Sequence, residues 1–279
     1  MSKLCCPLCG RQEIRLVHKE SEWNIVKCLS CSFVFVNPIP DDIALRCHYQ
    51  QYLPSEENRI RDWCRMMSGV FSRSLDVIGK ENGSHHGKLL DIGCGYGFFL
   101  DLAHKKGWEV YGVEPCDHAR AYAAKKGILV DSENLFERAY NDELFDVVTL
   151  FYVLEHLPDP LRYLKEINRI LKPGGLLLIR VPHTTPIVRL LKIFAIANKL
   201  YDVPSHLSDF SPRTIALALE KTGFNEIHTF PGGATRPQAI GQRLISKSSG
   251  ALAEALYKIS GKTLLLPGIS KTTIARKMK

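Results

Sequence analysis

Three glycines, Gly93, Gly95 and Gly97, alternate with other residues directly after a short apolar run. Glycine lets a backbone approach a bound molecule closely, and a helix starting behind such a turn offers unpaired N–H groups. A dinucleotide-binding turn needs Gly-x-Gly-x-x-Gly, but Phe98 stands where its last glycine would be. A second apolar run ends in Glu114, twenty-one positions after Gly93, where a carboxylate can bind ribose hydroxyls. The spacing therefore favours a ribose-containing cofactor other than a dinucleotide.

Four cysteines near the start of the chain form two Cys-x2-Cys pairs separated by eighteen residues. This spacing is typical of zinc ribbons, because a short turn within each pair lets both thiolates reach one tetrahedral ion. Four thiolates leave the metal no open position, so its role would be structural. The alternatives are free thiols, or Cys5 or His18 in place of one ligand. The predicted zinc ligands are Cys6, Cys9, Cys28 and Cys31.

Buried strands and amphipathic helices alternate through the rest of the chain. Phe145–Phe151 is an almost continuous apolar run, which indicates a strand buried on both faces. Asp159 and Pro160 then begin a helix, as an N-cap and a first helical residue. A short third strand is expected at Ile128–Val130 and an antiparallel last strand at Thr272–Lys277. The pattern predicts a doubly wound, mostly parallel α/β sheet.

Two motifs carry a family resemblance that spans about Leu89 to Phe224. Leu-Asp-Ile-Gly-Cys-Gly-Tyr-Gly with Gly-Val-Glu-Pro, and Glu-His-Leu with Lys-Pro-Gly-Gly, closely resemble class I S-adenosylmethionine-dependent methyltransferases. The similarity is strongest to the small-molecule and ubiquinone-type O-methyltransferase branch. It implies a seven-stranded Rossmann-like sheet and S-adenosylmethionine as the cofactor, with Asn134 and Leu135 at the adenine. The cofactor-binding residues expected from it are Asp91, Gly93, Cys94, Gly95, Tyr96, Gly97, Glu114, Asn134, Leu135 and Phe151.

Three segments are expected from this organisation. Residues 1–40 form the small zinc-ribbon-like segment, and residues 41–87 a helical linker, broken at Pro54, that covers the cofactor. Residues 88–279 form the methyltransferase domain, with an insert at 182–210. The insert carries an apolar stripe that predicts one amphipathic helix, either covering the substrate, as the resemblance implies, or packing on the core or a second subunit. The stripe comprises Ile187, Leu190, Leu191, Phe194 and Leu200.

Two histidines are the candidates for acid–base chemistry. A hydroxyl acceptor must lose its proton during methyl transfer, and histidine titrates near neutrality. His156 follows the carboxyl end of the fourth strand, and His206 follows the insert, while Glu155 orients His156 or contacts the substrate. Each histidine has the alternative of a structural bond to a backbone carbonyl. Ubiquinone-type relatives carry another acid where this chain has Tyr152, so no divalent-metal site is expected here.

The methyl acceptor is expected to be a small molecule, a sugar or a glycan intermediate. Ribbons followed by Phe-Val-Phe-Val-Asn-Pro resemble an appendage on methyltransferases that often modify sugars or surface glycans. The rival is a ribosomal-RNA base methyltransferase that recognises RNA through its ribbon. All of the net charge of +8 lies in residues 236–279, but Tyr257 is the only aromatic residue there, which argues against base stacking. A non-enzymatic scaffold is disfavoured by the intact cofactor motif.

Composition places the chain among ordinary globular proteins. It has 279 residues, 45% of them hydrophobic and 24% charged, enough for one α/β domain and an appendage. Neither a membrane-spanning run nor a signal peptide is evident, so a cytoplasmic location with reduced cysteines is expected. The oligomeric state is left open by the sequence.

Overall fold

The computed structural model describes residues 5–83, 86–132, 135–232, 240–261, 265–266 and 270–279, without the side chains of residues 42, 46 and 240–247. Six strands of this part form a mixed sheet in the order β5-β4-β6-β7-β10-β9. The first four are parallel, and β10 runs antiparallel to both of its neighbours. The strands are β4 (Lys88–Ile92), β5 (Glu109–Val113), β6 (Phe145–Phe151), β7 (Leu171–Val181), β9 (Phe224–Pro231) and β10 (Lys271–Lys277).

Successive residues of the central strands supply two separate cores, as strands buried on both faces require. Leu90 and Ile92 join one apolar cluster, which includes α6, α8 and the cysteine segment. Leu89 joins the other cluster, against α2, α3 and α4. The predicted doubly wound α/β fold is thus confirmed. The helices are α1 (Asp42–Tyr52), α2 (Glu57–Asn82), α3 (Phe98–Lys105), α4 (Asp117–Ala124), α5 (Leu135–Arg138), α6 (Pro160–Ile170), α7 (Thr184–Ile193), α8 (Pro212–Glu220) and α9 (Ile240–Ile259).

The short third strand expected at Ile128–Val130, which would make seven strands in the sheet, is not formed within the described part of the chain. This segment lies beside β5 at the edge of the sheet, where only an isolated bridge joins Val113 and Asp131. Ile128 is buried and Leu129 is 85% exposed, but only the two main-chain hydrogen bonds of Asp131, to Gly112 and from Glu114, join the segment to β5, too few for a strand. Strand β7 starts at Leu171 and includes the Lys-Pro-Gly-Gly motif, residues 172–175, as an irregularity in its pairing with β6.

The N-terminal segment forms an antiparallel sheet, β1-β2-β3-β8, that includes part of the insert. Its own strands are β1 (Ile14–Glu20), β2 (Trp23–Cys28) and β3 (Val34–Asn37). Strand β8 (Ser208–Asp209) pairs with Val34 and Phe35 of β3. The predicted appendage therefore continues into the end of the insert by main-chain hydrogen bonds.

The insert contains the one helix that was predicted, but its apolar stripe does not face the core. Val188 and Thr184 are its buried residues, whereas Leu190 and Phe194 are exposed. Leu200 lies beyond the helix and is exposed as well. Among the described residues, no helix combines the length and apolar character that crossing a bilayer requires.

Candidate active site

The glycine turn joins β4 to α3 with a backbone that only glycine adopts without strain. Gly93, Gly95 and Gly97 have φ angles of +68°, +55° and +72°. A Cβ on Gly93 would lie 2.5 Å from the Val153 side chain, so no larger residue fits there. A Cβ on Gly95 would instead project towards Leu53 and the Trp63 ring, 3.7 and 3.9 Å away. The turn is thus closed at its first glycine, and its second glycine is covered by Leu53 and the Trp63 ring.

Two buried carboxylates lie beneath this turn. Glu114 accepts the Gly95 N–H at 2.8 Å and the Cys116 N–H at 3.0 Å, and its burial raises its pKa. Asp91 accepts the Thr149 hydroxyl at 2.7 Å, and burial raises its pKa to about 8. Each carboxylate oxygen has a second lone pair, so Glu114 can hold the turn and still accept hydrogen bonds from a ligand hydroxyl.

The connection between α1 and α2 covers the turn, on the side where a cover was expected. The Tyr96 hydroxyl donates to the Pro54 carbonyl, and the His118 ring bonds the Leu53 carbonyl at 3.0 Å. From α1, the Gln50 amide donates to the Pro115 carbonyl at 2.8 Å. Because this connection packs directly on the turn, a ligand against Gly95 would have to displace it.

The other residues expected at the cofactor differ in position. Cys94 and Tyr96 are buried within the turn, and Leu135 is buried at the start of α5. Phe151 packs its ring against those of Phe71 and Phe99, with centroids 5.1 and 4.7 Å away. Asn134 lies outside the described residues. A direct contact of these residues with a cofactor stays a prediction.

The candidate base His156 ends a 3₁₀ turn, Leu154–His156, that directly follows β6. Its Nδ1 lies 2.7 Å from the Ser205 carbonyl, which makes Nδ1 the protonated nitrogen and leaves the Nε2 lone pair unshared with that partner. The Tyr49 hydroxyl donates to the carbonyls of both His156 and Ser205, at 3.0 and 3.1 Å. Burial, and then repulsion from the nearby His206, lowers the pKa of His156 to about 3. The ring is therefore neutral at neutral pH.

The predicted residues Glu155, His156 and His206 are brought together by the fold. One ligand atom from each lies within 4.8 Å of the others, and the two imidazole centroids are 4.8 Å apart. A carboxylate and two neutral imidazoles at this separation have the donor set of a divalent-cation site. His206 thus adds a third possible ligand to the Glu155–His156 pair. At position 152, where the ubiquinone-type relatives have an acid, the Tyr152 hydroxyl donates to the Ser270 hydroxyl at 3.0 Å.

Among the described residues, all buried side-chain polar atoms that lack a partner belong to the region around Glu155 and His156, called the acceptor side below because the candidate bases lie there. They are both carboxylate oxygens of Glu155, Nδ1 of His183 and the hydroxyl of Ser208. Burial raises the pKa of Glu155 to about 8 and lowers that of His183 to about 4. Unpaired buried groups are costly, so their concentration at one place indicates a ligand site.

Sequence reasoning missed two charged residues of this region, Lys271 and Asp209. Burial lowers the pKa of Lys271 to about 8, and its ammonium donates to the Pro182 carbonyl at 2.7 Å. Asp209 accepts the N–H groups of Thr184 and Thr185 at the start of α7. Neither residue stands in a recognisable motif. Only the pairing of β10 with β7, and of β8 with β3, brings them here.

The four cysteines of the N-terminal pairs converge on one point. Their sulfurs all lie within 4.8 Å of one another, with Cys6 and Cys31 at 3.6 Å and Cys9 and Cys28 at 3.5 Å. Thiolates at the corners of a tetrahedron around Zn²⁺, about 2.3 Å from the ion, are separated by roughly 3.8 Å. The cluster therefore fits a tetrahedral metal site. Cys5 and His18 are not part of it.

The chain resembles known methyltransferases in sequence and fold. A family model described as a methyltransferase domain matches residues 56–229, more than half of the chain. A ubiquinone biosynthesis O-methyltransferase of Actinobacillus pleuropneumoniae is 33% identical over 148 residues, and one of Colwellia psychrerythraea is 32% identical over 152. These matches cover 49% and 52% of this chain but only 63% and 62% of the relatives, less than two thirds of their length.

Solved structures show the same fold. A SAM-dependent methyltransferase from Archaeoglobus fulgidus superposes with a TM-score of 0.53 at 21% identity, covering 75% of this chain and 94% of its own. Phosphoethanolamine N-methyltransferase 2 of Haemonchus contortus, in complex with S-adenosyl-L-methionine, gives 0.56 at 15% identity, covering 94% and 71%.

The fold and the glycine turn define a class I S-adenosylmethionine-dependent methyltransferase, as the two sequence motifs predicted. The chain belongs to the methyltransferase domain family whose model it matches.

Proposed function

We propose that this enzyme methylates a hydroxyl group of a small molecule, a sugar or a glycan intermediate. The observation that carries the proposal is the concentration of unpartnered buried atoms beside His156, above all the two oxygens of Glu155. A buried carboxylate without donors is stabilised by a ligand that brings hydroxyl groups. O-methyl transfer is also the activity in the names of the ubiquinone-type relatives.

The residues of the glycine turn fit S-adenosylmethionine, which supplies an activated methyl group on a sulfonium. Gly95 has no side chain that would separate its backbone from a ligand, once Leu53 and the Trp63 ring that now cover it move aside, and Glu114 would accept the ribose hydroxyls. Leu135 and Asn134 would contact the adenine, as the family resemblance implies. The connection between α1 and α2 would exclude water from the site. A site without water favours methyl transfer, because the positive charge of the sulfonium disappears during the reaction.

His156 is proposed as the base that takes the proton from the acceptor hydroxyl. Its Nδ1–H is held by the Ser205 carbonyl, so the ring keeps its orientation and Nε2 faces the acceptor. A pKa of about 3 makes the imidazole a weak base, but the hydroxyl becomes strongly acidic as the methyl group bonds to its oxygen, so Nε2 receives the proton during the transfer. Glu155 does not bond His156 among the described contacts, which supports the role of contacting the acceptor rather than orienting the ring. His206, with its ring beside that of His156, is the second candidate base.

We also propose that Cys6, Cys9, Cys28 and Cys31 hold one structural Zn²⁺. The support is the tetrahedral clustering of their sulfurs and the burial of three of the four residues. Four protein ligands leave no position for a substrate or a water molecule, so this metal would act on folding and not on methyl transfer.

The RNA alternative has less support from the structure. Part of the basic C-terminal segment is engaged within the protein: Lys271 is buried, and Arg276 and Lys277 pair with Glu81 and Glu143. Arg236 and Lys262 lie outside the described residues.

Methyl transfer from labelled S-adenosylmethionine into fractionated cell extract tests the proposed acceptor. Label is expected in the small-metabolite or glycan pools, and label in the nuclease-sensitive pool would contradict the proposal. His156→Ala should lower the rate by about 10²–10⁴. His104→Ala, which changes an exposed histidine on α3, is the matched control and should leave the rate unchanged.

A further inference from the structure

Large apolar side chains are concentrated on the surface of the insert. Of the fourteen exposed large hydrophobic residues in the described part of the chain, five fall between positions 190 and 200. Single exposed apolar residues are normal, but a contiguous group marks an interaction surface. Ile193 is 78% exposed and Phe194 66%. The group, called the insert patch below, comprises Leu190, Ile193, Phe194, Ile196 and Leu200.

A cluster of four cations adjoins the insert patch. Arg15 of β1 and Lys27 of β2 are direct cross-strand partners, an arrangement in which like charges destabilise a sheet. Val188 of α7 joins the same buried apolar cluster as Ile25 of β2, which places Arg189 beside this strand. Besides burial, the charges of Arg189, Arg15 and Arg213 lower the pKa of Lys27. None of the four forms an ion pair with another described residue. The cluster is therefore an uncompensated positive surface built from β1, β2, α7 and α8.

Helix α7 joins the cation cluster to the insert patch. Arg189 and Ile193 are one helical turn apart, as are Leu190 and Phe194, so each pair lies on one face. Lys192 and Lys199 add two exposed cations. From residue 182 to residue 201 the sequence contains no acidic residue. Residues 182–201 thus present apolar and cationic side chains without a carboxylate among them.

We propose that the insert patch and the cation cluster together form a docking surface for an anionic phospholipid membrane. Phe and aliphatic side chains next to Lys and Arg are what an interfacial helix needs, since the apolar groups enter the lipid boundary and the cations meet the phosphates. The insert continues into Ser205 and His206, so the surface adjoins the acceptor side of the active site.

Two other occupants fit less well. Single-stranded RNA binds through aromatic rings that stack on bases, and the insert patch has only one aromatic side chain, Phe194. A second copy of the chain would bring the same surface to both sides of a two-fold interface. The unpaired cations of Arg15, Lys27, Arg189 and Arg213 would then face one another.

Flotation of the full-length protein with lipid vesicles tests the surface. Binding is expected to vesicles of phosphatidylcholine mixed with phosphatidylglycerol, to weaken with salt, and to be absent with phosphatidylcholine alone. The double variant Ile193→Glu, Phe194→Glu should bind at least about tenfold more weakly. Arg189→Gln with Arg213→Gln should weaken binding about tenfold or more, because each cation contributes about fivefold near such a surface.

Leu129→Glu is the control, since it replaces an exposed apolar residue by one such carboxylate at a residue 85% exposed at the edge of the main sheet. It should float like the unchanged protein, and every variant should bind S-adenosylmethionine with unchanged affinity in calorimetry. Failure of the unchanged protein to float, or an equal loss with Leu129→Glu, would overturn the proposal. So would a dimer that the Glu variants dissociate, or RNA binding weakened by the charge variants and not by the apolar ones. Calorimetry separates these results from a failure of cofactor binding.

Discussion

At the scale of single residues, Glu114 and Glu155 are buried carboxylates with opposite surroundings. Both oxygens of Glu114 accept backbone N–H groups, so this side chain holds the glycine turn in place. Neither oxygen of Glu155 has a partner in the described part of the chain. Burial raises the pKa of both carboxyls. Glu114 therefore helps to fix the shape of the glycine turn, whereas the Glu155 carboxylate needs a ligand that donates hydrogen bonds to be stable in its charged form.

Glu114→Ala should weaken the binding of S-adenosylmethionine by about 1–3 kcal/mol, because the ribose hydroxyls and the Gly95 N–H lose a charged acceptor. Titration calorimetry with the cofactor and with its demethylated product measures the loss. Glu109→Ala removes an exposed carboxylate from the same strand and should leave the affinity unchanged. Full binding of NAD by the unchanged protein would contradict the proposed cofactor.

Glu155→Gln should stabilise the ligand-free protein while lowering methyl transfer. The folded pKa of about 8 lies above the unfolded value near 4.3, so the charged carboxylate costs stability that grows as the pH rises between these values. Removing the charge should raise the free energy of unfolding by about 1–3 kcal/mol at pH 8 and by less at pH 5. Urea denaturation at both pH values measures this. A variant that is less stable than the parent at pH 8 would show that Glu155 is already paired.

At the scale of elements, the cysteine segment holds the residues of the acceptor side. The Val36 N–H of β3 donates to the Leu207 carbonyl at 2.9 Å, and the Leu207 N–H donates to the Glu155 carbonyl at 2.8 Å. At the other end of this sheet, the buried Glu20 accepts the N–H groups of Tyr201 and Val203. The residues on both sides of His206 are therefore hydrogen-bonded to the cysteine segment. The cofactor turn has its own supports in β4, β5 and the linker.

Replacing Cys6 and Cys9 together by Ser should remove about one equivalent of zinc and loosen the acceptor side more than the cofactor turn. Elemental analysis of protein purified without added metal measures the zinc. Hydrogen exchange should increase most at residues 201–209, because their hydrogen bonds to the ribbon depend on its fold.

The control for this variant is Cys47→Ser, which changes an exposed cysteine of α1 and should affect neither zinc nor exchange. Calorimetry with S-adenosylmethionine shows whether the double variant keeps its main domain. A double variant that retains its zinc with unchanged stability would contradict the proposed ligands.

At the scale of the whole molecule, groups with opposite protonation preferences determine how stability depends on pH. Asp91 and Glu155 have folded pKa values of about 8, far above the values near 4 of an unfolded chain. The folded protein therefore binds more protons in this range, and stability falls as the pH rises. His156 and His183, with pKa values of about 3 and about 4, behave oppositely below the unfolded value near 6.5. The two effects cancel between about pH 4.5 and 6.5.

The ligand-free protein should consequently be more stable at pH 6 than at pH 8, by on the order of 2 kcal/mol, since the two carboxylates act over this whole range, whereas the opposing effect of the histidines ends near pH 7 and that of Lys271 begins only near pH 8. Urea denaturation at both pH values gives the two free energies of unfolding. Saturating S-adenosylmethionine should add stability at either pH, because it binds the folded state alone. A higher free energy of unfolding at pH 8 than at pH 6 without ligand would contradict this account.

The sequence by itself determined the features that depend on local order along the chain. Strand β6 at Phe145–Phe151 and helix α6 from Pro160 to Ile170 follow from an apolar run and from a capped, periodic segment. The glycine turn at Gly93–Gly97 follows from the spacing of its three glycines, which lie within one turn of the chain. The clustering of the four cysteines follows from the two-residue spacing within each Cys-x2-Cys pair. The strand expected at Ile128–Val130 did not form, because pairing along the edge of the sheet, which a sequence window does not contain, is limited to one bridge between Val113 and Asp131.

Only the tertiary structure decided what surrounds the catalytic candidates. Lys271 and Asp209 join Glu155 through strands that are distant in sequence, so no local pattern could indicate them. The same holds for the Ser205 carbonyl, which sets the tautomer of His156 from forty-nine residues away. The insert helix was predictable from its period, but which of its faces is covered depends on the elements packed against it. Pairing, burial and desolvation are properties of the assembled chain, and they determine which of the predicted residues can bind, accept a proton or meet a partner.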